Sequence, residues 1–236
     1  MYSFYSRTEA LLGSTAVEKL KKAKVALFGL GGVGSSAFEA LVRSGVGEIA
    51  VFDYDTVSKS NFNRQLLATS DTLNTLKTDA AVLRGKVINP EAKIIGNNIF
   101  YLPDTADSVD LKGFDYIIDA IDTVTVKLLL IERAVEQNIP IISSMGTGNK
   151  LDITRLKVSD ISKTTDCPLA RVMRKELKKR GIAHLKVVWS DEKPAYQEET
   201  EEQKGKGSAP ASAIFVPAAA GLLLAKEVVS DICAKI

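Results

Sequence analysis

The sequence predicts an α/β domain, doubly wound around a mostly parallel sheet, with a smaller C-terminal extension. Three observations predict it. The apolar run Val25–Phe28 breaks into Gly29, Gly31, Gly32 and Gly34 and passes at once into a helical pattern (Ala37, Phe38, Ala40, Leu41). Such a strand, glycine turn and helix make a phosphate cradle. The glycines let the backbone turn tightly and approach an anion, and the helix N-terminus offers unpaired N–H groups and the positive end of its dipole. Secondly, strand-like runs alternate with helical ones as far as Ser144, the pattern of a parallel sheet with helical crossovers. Thirdly, the strand Glu48–Asp53 ends in an acid 19 residues after Gly34. A Rossmann-like fold places an acid for ribose hydroxyls at about that offset, because the neighbouring strand ends at the same edge of the sheet.

The elements follow in order. A helix over Thr15–Ala23 is capped by Ser14 or Thr15 and carries its basic residues toward the C-terminus. Arg7, upstream of it, reads on local sequence as a solvated arginine on an N-terminal arm. Ser44-Gly45-Val46-Gly47 stops the helix after the glycine turn. Asn74–Ile88 is helical and ends at Asn89-Pro90. Ala92–Asn97 is a third strand, and Leu102–Lys112 a short polar helix. A fourth strand from Phe114 runs into Asp119 and Asp122, and a helix covers Val124–Gln137. Ile141–Ser144 is the fifth strand. It opens a second glycine-rich loop, Met145–Lys150, either an acyl-group pocket or a turn before a strand over Thr154–Val158.

A glycine turn plus one acid suits nicotinamide and flavin enzymes equally well. The loop after the second strand is more selective. It packs Asp53, Asp55, Asn61, Arg64 and Gln65 together, and Lys77 follows on the next helix. Hydride transfer has no evident need for two cations there. Attack on a phosphate of ATP does need them, to hold charge where it develops. Asp122, at a strand end facing the same crevice as Gly31, suits a Mg²⁺ ligand, since that ion is usually held by one or two carboxylates plus phosphate oxygens. Alternatively, Asp119 and Asp122 cap the helix that follows.

Composition sets the remaining bounds. The 236 residues carry a net charge of +2, so any nucleic-acid binding comes from a local patch. Cys167 and Cys233 are the two cysteines and there is no CxxC, which excludes a four-cysteine zinc site and a disulfide scaffold. No signal peptide is read at the N-terminus. The apolar stretch 215–225 is too short to span a bilayer, and a cytoplasmic location without a membrane partner is expected.

The ordered motifs GxGGxGS, DxDxVxxSNxxRQ, a following lysine and a DAxD strand end resemble the ubiquitin-activating-enzyme-like adenylyltransferases over roughly residues 5–160. The family includes activators of the sulfur carriers for thiamine and molybdopterin. The resemblance implies that Gly31 and Gly32 approach the phosphates of ATP and that Asp53 binds the ribose. Asn61, Arg64 and Lys77 would contact the phosphates and Asp122 would hold Mg²⁺. Arg7 matches an arginine that the family lends across a homodimer interface, which replaces the solvated-arm reading.

The C-terminal third lacks the two cysteine pairs of the sulfur-carrier activators. Its DIxKT…CPLAR…R…L stretch is similar to the tRNA threonylcarbamoyladenosine dehydratase branch. Pro168–Arg180 reads as a helix with Asp166 or Cys167 as N-cap and Pro168 at N1. Leu169, Val172, Met173 and Leu177 make its apolar side, and Arg171, Arg174, Lys175 and Lys178 are the candidate tRNA contacts. Cys167 is the candidate nucleophile if a thioester forms. The dehydratase chemistry requires none, because the substrate's carbamoyl group can attack intramolecularly. His184 reads as structural.

The organisation expected is an ATP-binding adenylation unit over residues 1–160 with its N-terminal arm. Residues 161–236 then supply a basic helix, a mobile loop at about 191–212 and a packing helix, in the same domain or as a small appendage. The function expected is adenylation of the threonyl carboxylate of threonylcarbamoyladenosine in tRNA, followed by cyclisation with release of AMP. Activation of a ubiquitin-like sulfur carrier is the alternative reaction, and an inactive sulfur-relay scaffold a third reading.

Overall fold

The computed structural model describes residues 4–195 and 210–234. In chain order the elements are α1 (Ser6–Leu12), α2 (Ser14–Lys22), β1 (Lys24–Phe28), α3 (Gly32–Ser44), β2 (Glu48–Asp53), α4 (Lys77–Ile88), β3 (Lys93–Asn98) and α5 (Pro103–Ala106). They continue with β4 (Tyr116–Asp119), α6 (Val124–Glu136), β5 (Ile141–Ser144), β6 (Leu156–Asp160), α7 (Pro168–Lys179), β7 (Lys186–Ser190) and α8 (Phe215–Ala234). The strands form one sheet in the order β3-β2-β1-β4-β5-β7-β6. All neighbours are parallel except β6, which runs antiparallel to β7.

The chain steps outward from β1 to β2 and β3, then returns to β4 on the other side of β1. That reversal opens a crevice at the carboxyl ends of β1 and β4, where open α/β sheets bind ligands. Phe28 pairs in register with Asp119, so the loops leaving β1 and β4 start at one level.

The alternation of β1 sets the two cores. Val25 and Leu27 pack with Phe38, Leu41 and Leu224 on one face, while Ala26 and Phe28 pack with Phe52, Tyr101 and Leu130 on the other. Each fully buried leucine or phenylalanine stabilises the fold by about 1.5–3 kcal/mol. A third cluster joins α6, α7 and β7 through Ile131, Met173, Leu177 and Trp189.

The C-terminal third enters the main sheet. β7 lies between β5 and β6, and Val187 and Val188 are fully buried, as an internal strand requires. α8 returns to the first half of the chain and crosses α3 at a glycine: a Cβ on Gly221 would sit 2.3 Å from the Val33 carbonyl oxygen. The small residues of this helix therefore serve contact with α3.

Several boundaries differ from the sequence reading. α4 starts at Lys77, because Asn74 has φ +66° and Val57 exchanges backbone hydrogen bonds with Asn74 and Thr75. α5 stops at Ala106. β6 is Leu156–Asp160, two residues later than the expected strand. The expected loop at 191–212 lies mostly outside the described residues. No helix among the described residues is long and apolar enough to cross a membrane.

Candidate active site

The glycine turn holds its shape through contacts that admit no side chain. Gly29 has φ +89°, and a Cβ there would meet the Ala120 carbonyl oxygen at 2.7 Å. A Cβ on Gly34 would fall 1.8 Å from the Gly29 carbonyl oxygen, so this glycine lets α3 sit against the end of β1. Gly31 differs from both. It is the N-cap of α3, and the position of its absent Cβ has nothing within 4 Å. The open space lies where a phosphate would approach the helix N-terminus.

The loop after β2 is drawn onto that turn. The Arg64 side chain passes over the first turn of α3, its Cγ 3.3 Å from where a Gly32 Cβ would be. Buried Ser35 receives the Leu66 N–H at 3.1 Å and anchors the loop. Arg64 Nη1 donates to the Ser60 carbonyl at 2.8 Å and to Asn63 Oδ1 at 2.9 Å. Its Nε and Nη2 make no hydrogen bond among the described residues. Buried Asn61 accepts the Ser58 N–H at 3.0 Å and closes the turn from inside, with Gln65 buried beside it in the chain.

Asp53 ties the two loops together. One carboxylate oxygen accepts the Leu30 N–H at 2.6 Å and the other the Asp55 N–H at 2.8 Å. Lys77, at the start of α4 and 5 % exposed, reaches Asp55 Oδ2 at 2.7 Å. The ammonium is thus aimed by Asp55 and keeps two further donors. Tyr54 reports the local field. Burial raises its hydroxyl pKa first, and the charges of Asp55, Asp122 and Asp53 raise it further.

Asp122 is exposed, and among the described residues its carboxylate has one hydrogen-bond partner, Thr123 Oγ1 at 3.3 Å. Thr123 is the N-cap of α6 and no side chain caps that helix, so neither Asp119 nor Asp122 plays the capping role. Asp119 is wholly buried in an ion pair with Lys127, Nζ to Oδ2 2.9 Å, both side chains being 0 % exposed. Sequence reasoning missed Lys127. The available signal was a lone lysine between Val126 and Leu128 in an otherwise apolar helix start, soon after a buried acid.

The second glycine-rich loop lies beside α7. Cys167 is 2 % exposed and packed among Met145, Ala170 and Met173. A thiol so covered is a core residue in this structure rather than a surface nucleophile. Lys150 is also buried, donating to the Ser190 carbonyl at 2.9 Å, and burial holds its pKa below the usual lysine range.

α7 begins with Cys167 as N-cap and Pro168 at N1. Its buried face is Ala170, Met173 and Leu177, while Val172, expected inside, is 44 % exposed. The cations divide into two groups. Arg174 is held by Thr164, through the carbonyl at 2.6 Å and the hydroxyl. Lys179 and Arg180 pair with Glu176, and Arg180 also with Glu132. Arg171, Lys175 and Lys178 are exposed and have no side-chain partner among the described residues. Arg7 is exposed on α1.

A phosphate cradle at the switch point of a doubly wound sheet, with an arginine over the helix N-terminus and a lysine aimed by an acid, defines a nucleotide-binding α/β protein of the adenylating type. The chain belongs to the ThiF family, whose model matches residues 5–235. It is 42% identical over 238 aligned positions to the tRNA threonylcarbamoyladenosine dehydratase of Bacillus subtilis, covering 97% of this chain and 94% of that protein. The solved Escherichia coli tRNA N6-threonylcarbamoyladenosine dehydratase in complex with AMP superposes with a TM-score of 0.88 at 32% identity, covering 97% of this chain and 93% of that one. Its complex with ATP gives 0.86 at 32% identity, covering 98% and 94%. The adenylyltransferase and sulfurtransferase uba4 of Ogataea parapolymorpha is 33% identical over 63% of this chain and 37% of that protein.

Proposed function

We propose that this chain is an ATP-dependent dehydratase that adenylates the threonyl carboxylate of threonylcarbamoyladenosine in tRNA and lets it cyclise with loss of AMP. The likeness to the Bacillus dehydratase carries the choice of acceptor. It runs through the C-terminal third, where α7 and β7 lie, and not through the nucleotide half alone. The uba4 relative spans much less of the chain, and no CxxC pair is present to suit a sulfur-carrier activator.

The site supports each role. Gly31 leaves room for the phosphates at the head of α3, and Asp53 retains lone pairs for ribose hydroxyls. A carboxylate oxygen of the substrate attacks the α-phosphorus and the bond to pyrophosphate breaks. Arg64, through its free Nε and Nη2, and Lys77, through the donors Asp55 leaves unused, hold the charge that develops. The substrate's carbamoyl group then attacks the acyl carbon, and AMP departs with the former carboxylate oxygen. Buried Cys167 takes no part.

The donor set fits Mg²⁺ carried in with the nucleotide. Among the described residues no three acidic, histidine or cysteine side chains form a metal cage. Asp122 offers an exposed carboxylate, and a phosphate-bound Mg²⁺ needs only one or two. Bound there, the ion would neutralise phosphate charge. Arg7 acts in the partner of a homodimer. Leu11 and Leu12 on the same helix are exposed and offer apolar surface for that contact. Arg171, Lys175 and Lys178, the α7 cations with no side-chain partner among the described residues, meet tRNA phosphates.

Incubation with Mg-ATP and tRNA bearing the linear nucleoside should release AMP and lower the nucleoside mass by one water. Neither product appearing would remove the proposal. Pyrophosphate exchange driven instead by a peptide ending in Gly-Gly would favour the carrier reading. In the same assay Arg171→Glu/Lys178→Glu should raise the KM for tRNA about tenfold or more and leave ATP binding alone. An unchanged KM would remove α7 from the RNA surface.

A further inference from the structure

Lys127 and Asp119 form a wholly buried ion pair at the carboxyl ends of β4 and β5. The ammonium donates to the Ile121 carbonyl at 3.0 Å and the Ser144 carbonyl at 2.8 Å, and it lies in an ion pair with Asp119 Oδ2 at 2.9 Å. Asp119 accepts in turn from the Ile121 N–H at 3.1 Å and from Ser143 Oγ at 2.6 Å. Both backbone polar groups of Ile121 therefore end on this one ion pair. The next residue is Asp122.

A buried ion pair is a weak source of stability, because removing two charges from water costs about as much as their attraction returns. Apolar residues of the same volume would pack as well. What the charges supply here is geometry. On one side the pair grips the turn through Ile121. On the other, Ala120 rests against the glycine turn, its carbonyl oxygen 2.7 Å from where a Gly29 Cβ would lie. The 120–122 turn is thus held between the phosphate cradle and a fixed ammonium, and α6 carries that ammonium to the end of β5.

We propose that Lys127 and Asp119 are positioning residues that set the Asp122 carboxylate against a divalent cation bound with the triphosphate. This rests on the reading of Asp122 as the protein's metal ligand. Outer partners that orient a ligand typically alter metal affinity by about 10–100-fold when removed. Both side chains are fully buried, so loss of the pair should spare metal-free nucleotide binding and weaken the gain that the metal adds.

The test compares binding of a non-hydrolysable ATP analogue in EDTA and in saturating Mn²⁺, on the full chain. The double variant Asp119→Asn/Lys127→Met leaves no lone buried charge, and its fold is checked by circular dichroism and melting. It should bind the analogue in EDTA within about twofold of the parent while the Mn²⁺-dependent gain falls about tenfold. Ser143→Ala, which removes one bond to Asp119 and keeps the charges, should lower the gain about threefold, and it decides the matter if the double variant does not fold. A folded double variant or Ser143→Ala with an unchanged gain overturns the clamp. Asp122→Asn separates the two readings. If it abolishes the gain while the double variant does not, the clamp alone fails; if it leaves the gain intact, the ligand assignment fails and the clamp with it.

Discussion

Lys77→Ala is expected to lower AMP formation by at least about 10³-fold and to leave the fold standing. The size follows from the role. A cation held against a phosphate where charge develops contributes several orders of magnitude, and Asp55 aims the Lys77 ammonium at 2.7 Å with donors to spare. The fold survives because the other half of the pair is not stranded. Asp55 is 45% exposed, so water takes over when the lysine is removed, and the loss is about 1–2 kcal/mol. Thermal melting beside an AMP assay separates the two effects. A fully active Lys77→Ala would contradict the phosphate assignment.

The same variant tests the shared site. In the proposed homodimer Arg7 serves the partner's nucleotide, so Arg7→Ala is also expected to be inactive. Mixed and re-equilibrated, the two dead variants should recover about a quarter of parental activity, since half the dimers are mixed and each mixed dimer has one intact site. No recovery, with dimers shown to exchange, would place Arg7 in its own subunit's site or in none.

The second large effect distinguishes glycines that look alike in sequence. Gly34→Ala puts a carbon 1.8 Å from the Gly29 carbonyl oxygen, a backbone atom that cannot move aside. The helix must shift off the strand, and a loss of more than about 3 kcal/mol is expected. Gly31→Ala meets nothing within 4 Å and should melt like the parent. It should nevertheless weaken ATP binding by about tenfold or more, because the methyl group occupies the space through which phosphate reaches the helix N-terminus. Melting curves and nucleotide titration of the two variants decide this. If Gly31→Ala binds ATP normally, the phosphates do not lie on that side of the turn.

Most of the nucleotide half was legible because its signals are local. The glycine turn, the acid ending β2 and the Arg64–Lys77 pair lie in one stretch of chain, and backbone geometry brings them together. The C-terminal third was harder. β7 enters the sheet between β5 and β6, an insertion set by long-range pairing rather than by any local pattern. Val172 was assigned to the wrong side of α7 for a related reason: periodicity names an apolar stripe, but β7 and α6 decide where it faces. Lys127 escaped notice because composition marks lysine as exposed, and only the fold shows an acid buried beside it. The cations of α7 read alike in sequence, yet Thr164, Glu176 and Glu132 occupy three of them.

The central claim is that the substrate carboxylate attacks the α-phosphate of ATP. It is tested most directly with tRNA whose threonylcarbamoyladenosine carries ¹⁸O in the threonyl carboxylate. The bond broken on cyclisation lies between the acyl carbon and that oxygen, so the released AMP should contain one ¹⁸O atom, seen by mass spectrometry. Unlabelled AMP, or label in inorganic phosphate with release of ADP, would contradict the account.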